Sequence, residues 1–176
     1  MKKLSIICVL VLLLGLMAVP TFALEFKFDF YGGNTCYMKG DFEDNIVLVS
    51  LGDVYVDIWL VDWPTDRPSI AAINYYFQMA AGLDVADVYY DHLTKPQGPW
   101  DDQYAVSNTN EYAMGVVELG LGVPGPDIWL HTIKLRGTGG IEPIKATLGD
   151  YGVVLNVDED EFTDVYDGNA VISVCP

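Results

Sequence analysis

The 176-residue sequence sets nine Lys and Arg against 25 Asp and Glu, a formal charge of −16, on a chain that is 51% hydrophobic. That charge repels phosphate backbones and anionic lipid, which excludes nucleic acid and membrane surfaces as partners and favours cations or basic proteins. The apolar content is enough for one domain with a real core.

The chain opens as an export signal. Lys2 and Lys3 give a basic start, Ile6 to Val19 is an apolar run of 14 residues, and Thr21-Phe22-Ala23 offers small side chains at a cleavage site. A spanning helix needs about 20 apolar residues, so residues 1–23 read as a cleaved signal rather than a membrane anchor. Cys8 lies inside the apolar run, which rules out lipid attachment just after it. The mature domain is then residues 24–176. Losing Lys2 and Lys3 leaves seven cations against 25 acids, a charge of −18. There is no second hydrophobic span, so the expected location is secreted or periplasmic, with no membrane contact after cleavage. Cys36 and Cys175 remain, and an even count in an exported chain suggests a disulfide, with two buried thiols as the alternative.

Leu24 to Phe30 alternates apolar and polar residues strictly, which predicts a half-buried strand ended by Gly32-Gly33-Asn34. Ile46 to Ser50 is a short apolar run, and Gly52-Asp53 makes a turn. Val54 to Val61 alternates again until Trp63-Pro64 stops it, because proline cannot donate to a ladder. Ser69 to Gly82 fits two periods. Ile70, Ile73, Phe77 and Ala80 follow a helix capped by Ser69, whereas Ile73, Tyr75, Phe77, Met79 and Ala81 follow a strand. The Tyr-Tyr-Phe content decides for strand. Val85 to Tyr90 is a further strand, and "KPQGPWDDQ" is a loop. Glu111 to Leu121 forms a strand, "VPGPD" turns, and Ile128 to Leu135 is a strand closed by "RGTGG". Ile144 to Leu148 and Gly152 to Val157 follow. Asp167-Gly168 signals a turn before the last strand, Ala170 to Val174. Short strands with turns between them indicate an all-β sandwich. "DIWL" occurs twice, at Asp57 and Asp127, without matching surroundings, so it is not read as a repeat.

These segments resemble the cohesin family. "LGDVYVDIWLVDWP" and "SIAAINYYFQMAAGLDVADVYYD" are similar to the opening half of cohesin-like domains, with their Gly-Asp turn and valine-rich strand. "PGPDIWLHTIKLRGTGGIEPIKAT" and "DGNAVISV" are similar to the second half and closing strand. The resemblance covers Val47 to Val174. It implies a jelly-roll sandwich of about nine strands, with first and last strands side by side. It also implies a non-catalytic role in binding the calcium-loaded dockerin of another protein. Carbohydrate-binding modules share this superfamily. The chain departs from the family as a lone domain without linker, second module or anchor, and His131 stands where the family has a small alanine. No dockerin-contacting residue carries over. With first and last strands adjacent, Cys36 and Cys175 would come within about 6 Å, which a bridge permits.

Three groups of residues could carry chemistry. In "NVDEDEFTDVYDG", Asn156, Asp158, Asp160, Asp164 and Asp167 fit positions 1, 3, 5, 9 and 12 of a calcium loop. Glu161 replaces its turn glycine, and Asp167 is too short for the usual bidentate contact. The stretch reads as a solvated acidic connection that can face a basic partner. A looser calcium site on Asn156, Asp158, Asp160 and Asp164 is the alternative, and calcium is the sole cofactor considered. In "GPWDDQY", Trp100 could stack a sugar while Asp101, Asp102 and Tyr104 bind hydroxyls. The alternative is Trp100 as a plug over the sandwich end. Trp59 and Trp129 read as packing residues. His92 and His131 are far apart and no serine or cysteine sits in a nucleophile motif, so no catalytic residue is assigned. The sequence reads as an exported recognition module for another extracytoplasmic protein. A carbohydrate-binding module is the rival, and a glycoside hydrolase built on an Asp/Glu pair comes third.

Overall fold

The computed structural model describes residues 23–31, 35–37, 45–48, 52–80, 83–89, 100–108, 111–137 and 141–174. Residues 1–22, His92 and Cys175 lie outside them. Among the described residues there is no helix, and so none long and apolar enough to cross a membrane. The strands are β1 (Leu24–Tyr31), β2 (Thr35–Tyr37), β3 (Asn45–Leu48), β4 (Asp53–Val61), β5 (Ile70–Met79), β6 (Leu83–Tyr89) and β7 (Asp102–Asn108). They continue as β8 (Glu111–Val117), β9 (Ile128–Gly137), β10 (Ile141–Thr147), β11 (Val153–Asn156), β12 (Glu161–Phe162), β13 (Val165–Tyr166) and β14 (Gly168–Val174).

The strands build two sheets. The first runs β13-β1-β4-β9-β6. The second runs β12-β11-β5-β10-β14-β3-β2, with β8 on the other edge of β5 and β7 beyond it. The alternation read in the sequence sets the packing. Phe26, Phe28 and Phe30 of β1 point inward and are buried, as are Val54, Val56, Ile58 and Leu60 of β4. Each such side chain contributes about 1.5–3 kcal/mol by leaving water. The ambiguous segment is a strand, β5: Ile73, Tyr75 and Phe77 are all buried, so period two wins. Phe26 meets Tyr75 at 5.3 Å between ring centroids, and Phe28 meets Phe77 edge-on at 6.4 Å, which ties the two sheets together. Trp63, buried just after β4, donates its indole N–H to the Pro68 carbonyl and packs edge-on against Phe162. The two "DIWL" copies become neighbours, with Trp59 opposite Trp129 in the β4–β9 pair.

The chain end differs from the expected arrangement. The parallel neighbour of β1 is β13, through Leu24↔Val165 and Glu25↔Tyr166. The closing strand β14 then lies in the second sheet, between β10 and β3. The chain changes sheet at Asp167-Gly168, which the sequence marked as a turn. Gly168 instead opens β14 and packs against Phe26: a Cβ there would stand 2.6 Å from the Phe26 carbonyl oxygen. Glycine is needed for that close approach.

Cys36 lies on β2. Val174 pairs with Leu48, and Leu48 with Thr35, so β2 is two strands away from β14. At a strand spacing of about 4.8 Å that is roughly 10 Å. A bridge to Cys175 therefore requires the chain after Val174 to turn across the end of β3, because disulfide Cα atoms stand within about 7 Å.

Candidate recognition face

The outward side of the second sheet is built from the alternate positions that the core does not use. Met114, Val116, Ile73, Tyr75, Phe77 and Val154 point inward and are buried, so their neighbours along β8, β5 and β11 point outward. Register aligns these neighbours into rows. One row runs Asp102, Val117, Ala72, Leu155, Glu161. The next runs Tyr104, Gly115, Asn74, Val153. A third runs Val106, Ala113, Tyr76, Thr147. The fourth runs Asn108, Glu111, Gln78, Lys145. The two middle rows carry no charge at all. In the first, the acids stand only at the two ends. On a chain of charge −16, an uncharged face of valine, alanine, glycine, leucine and tyrosine is a departure from the rest of the surface.

Tyr104 lies flat on this face. Its ring covers Gly115, where a Cβ would stand 2.2 Å from the ring edge, and its hydroxyl donates to Asn74 Oδ1 at 2.8 Å. It thus reaches from β7 across β8 to β5 and still leaves 41% of itself exposed. Partial burial, and then the neighbouring Tyr76, raise the pKa of its phenol, which keeps it a protonated donor. Val106 beside it is exposed.

The other residues proposed with Tyr104 do not join it as a sugar platform. Trp100 is buried, 8% exposed, and its indole N–H donates to the Trp129 carbonyl at 2.8 Å. It is the plug of the alternative reading: an apolar ring in a loop gains more from the core than from water. Asp101 accepts the Leu119 N–H at 2.8 Å, and Asp102 accepts the Gln103 N–H at 2.9 Å, so both carboxylates fix local backbone.

The acidic stretch is a tight turn organised by Asn156. Its buried amide Oδ1 accepts the N–H groups of Asp158 and Asp160, each at 2.9 Å, and its Nδ2 donates to Asp160 Oδ2 at 3.0 Å. Glu159 takes the left-handed conformation at φ 66° to complete the turn. The Asn156 oxygen that a calcium ion would use is therefore turned toward two N–H donors. Among the described residues no group of three or more His, Cys, Asp or Glu side chains could hold a metal.

Solved structures similar to this sandwich include cohesins. A non-cellulosomal cohesin from the hyperthermophilic archaeon Archaeoglobus fulgidus aligns with a TM-score of 0.56 at 15% identity, over 85% of this chain and 92% of its own. The seventh ScaB type I cohesin from Pseudobacteroides cellulosolvens aligns at 0.60 and 12% identity, over 87% and 92%. A type I cohesin–dockerin complex from Clostridium thermocellum contributes a match at 0.57 and 14% identity, over 85% and 99%. The chain has a cohesin-like jelly-roll fold. No family model matches its sequence, and no curated protein matches it.

The core also holds a polar pair between the two sheets. His131, on β9, is fully buried and shares a hydrogen bond of 2.9 Å between its Nδ1 and the Tyr75 hydroxyl of β5. Burial pushes its pKa down to about 3, so the ring is neutral, and burial also pushes the Tyr75 phenol well up. His131 is a polar tie between the sheets. The carboxylates of a shallow groove of about 300 Å³, at the junction of β1 and β14, are held by lysines. Glu25 pairs with Lys27 at 2.8 Å and Asp167 with Lys145 at 2.6 Å. Burial raises the Asp167 pKa, but hydrogen bonds from Lys145 and Thr147 outweigh it and leave it lowered. A glycosidase acid needs the opposite shift.

The sequence missed β7 and the face it borders. The available signal was the alternation of Tyr104 and Val106, but no large apolar residue between them marks an inward side.

Proposed function

We propose that this cohesin-like domain is an exported, non-catalytic module that binds another protein through the outward face of β7, β8, β5 and β11. The partner we propose is a dockerin-bearing extracytoplasmic protein. The observation that carries the reading is the uncharged middle of that face on a strongly acidic chain. Charge is depleted at the core of a protein interface, because each buried charge must be desolvated. The cohesin–dockerin complex from Clostridium thermocellum among the similar structures supports the choice of partner class. The signal-like pattern of residues 1–23, a basic start and a short apolar run, supports a secreted or periplasmic location.

Titration calorimetry of residues 24–176 against a panel of calcium-loaded dockerins tests this. Saturable binding to at least one, lost when the dockerin is stripped of calcium, is the expected result. Heat of dilution alone across the panel would refute it. A carbohydrate-binding role is the second reading, favoured by the flat, part-exposed ring of Tyr104, since an aromatic face stacks on a sugar. A glycan array separates the two: binding lost in Tyr104→Ala, with no dockerin bound, would favour sugar.

A further inference from the structure

The outermost strands of a sheet offer unpaired N–H and C=O groups, and proteins guard such edges by keeping them short, charged or bulged. Among the described residues, four of the five edge strands are guarded in this way. β13 and β12 are two residues long, and β2 is three residues long with a register shift inside it. β6 carries Asp84 and Asp87 and shifts register between Val85 and Asp87. β7 has none of these devices. It runs seven residues, Asp102 to Asn108, in unbroken register with β8, without proline and with its single charge at the first residue. It is also open: Asp102, Tyr104, Val106 and Ser107 are exposed, Val106 at 60%.

The hydrogen-bonding direction of each β7 residue follows from the register. Only two residues separate Asn108 from Glu111, so this closing pair exchanges both its hydrogen bonds. Alternation gives the same bonding to Val106, Tyr104 and Asp102, and turns the N–H and C=O groups of Gln103, Ala105 and Ser107 away from β8 to the outer edge. We infer that β7 is a dimerisation strand, pairing antiparallel with β7 of a second copy about a two-fold axis at Ala105. The strand is self-complementary in this register, which selects a second copy over a foreign strand. Ala105, its central residue, faces the partner's Ala105, and Gln103 faces the partner's Ser107, with hydrogen bonds exchanged across each pair. Tyr104 meets the partner's Val106 on the outward side, an aromatic and β-branched pair of the kind that stabilises sheets, and Asp102 meets the partner's Asn108, so no like charges stand opposite. On the inward side Gln103 Oε1 is buried without a hydrogen-bond partner among the described residues. The partner's Ser107 brings a hydroxyl donor to that position. The two-fold axis stands perpendicular to the sheet, so both copies turn their outward rows to the same side of one continuous sheet. Two recognition faces side by side raise avidity for any partner that repeats its binding element, whatever that partner is.

Sedimentation velocity of the purified protein tests the inference. The contact is small, so the dimer fraction should rise as protein is raised from about 1 to about 500 μM. Two strongly acidic copies repel, so added salt should tighten the dimer, the reverse of its effect on opposite charges. Amide hydrogen exchange should slow with concentration at Gln103, Ala105 and Ser107 but not at Tyr104 and Val106, whose N–H groups face β8. Ala105→Pro removes the central donor at an edge position where proline is tolerated, and should leave a monomer with Tm little changed. Val106→Asp, at an exposed position, sets an acid diagonal to the partner's Asp102, and because the change enters twice it should weaken the dimer about tenfold or more. It decides the matter if Ala105→Pro does not fold. A monomer at every concentration would overturn the inference and leave the edge to a strand of another protein. A dimer that survives both substitutions would place the interface elsewhere and overturn it as well.

Discussion

Acidification between pH 7.5 and 5 should destabilise this domain through one buried imidazole. In the folded state burial holds His131 at a pKa of about 3, against about 6.5 in an unfolded chain. The folded pKa is the lower one, so the unfolded chain binds more protons throughout that window. Stability is therefore fully present above pH 6.5 and is lost as pH falls toward 3. At pH 5 the unfolded imidazole is charged and the folded one neutral, a difference of about 1.5 pH units, or about 2 kcal/mol. For a domain of this size that lowers Tm by roughly 4–8 °C. Carboxylates held low in the fold contribute the same sign only further into acid. Asp53 is such a group, with its pKa lowered chiefly by the Arg136 hydrogen bond. Differential scanning fluorimetry of wild type, His131→Gln and His92→Gln reads the effect. The slope between pH 7.5 and 5 should persist in His92→Gln and flatten in His131→Gln. If His131→Gln does not fold, proton NMR of the wild-type ring answers instead, with no His131 titration above pH 4. A wild-type Tm that is flat across this window, or a slope that survives in His131→Gln, would refute the reasoning.

Other substitutions test the packing around the face. Trp100→Ala should cost about 3–5 kcal/mol, as for a buried tryptophan, and a variant with unchanged Tm would contradict the plug. Asn156→Ala removes the acceptor of two N–H groups and should cost about 1–3 kcal/mol, read by chemical denaturation. Because that acceptor is committed to the turn, millimolar calcium should leave the Tm where chelator leaves it, whereas a calcium-dependent rise would revive the looser site. With β2 two strands from β14, a Cys36–Cys175 bridge forms only if the chain after Val174 crosses the end of β3; non-reducing mass spectrometry of the purified protein checks it, and two free thiols would refute the bridge.

Much of the fold was legible because the sequence pattern is local where the burial is one-sided. β1 alternates strictly and β4 alternates from Val54 to Leu60, and the buried phenylalanines and valines fall where the alternation puts them, with buried Asp57 as the exception. β5 was legible only through its Tyr-Tyr-Phe content, since its apolar residues fit two periods. β7 was not legible. It is an edge strand whose large residues, Tyr104 and Val106, lie on the outward face, and the inward Ala105 is too small to mark a core side. The change of sheet at Gly168 depends on contact with Phe26, distant in sequence, and a local reading of Asp-Gly gives only a turn. The recognition face itself exists only through register: Ala72, Ala113 and Gly115 become one surface when β5 and β8 pair, and no single segment announces it. The same limit applies to Trp100, whose burial depends on the Trp129 carbonyl.

The affinity of Ala113→Asp for whichever dockerin binds the wild type tests the recognition face most directly. Ala113 sits mid-row between Val106 and Tyr76, and an aspartate there would be buried unpaired in the complex while remaining solvated in the free domain. Its negative charge adds to an already acidic surface, so long-range repulsion of a basic partner cannot explain a loss. The account predicts a weakening of at least about thirtyfold, about 2 kcal/mol, with Tm changed little. Wild-type affinity in Ala113→Asp would place the partner elsewhere and contradict the account.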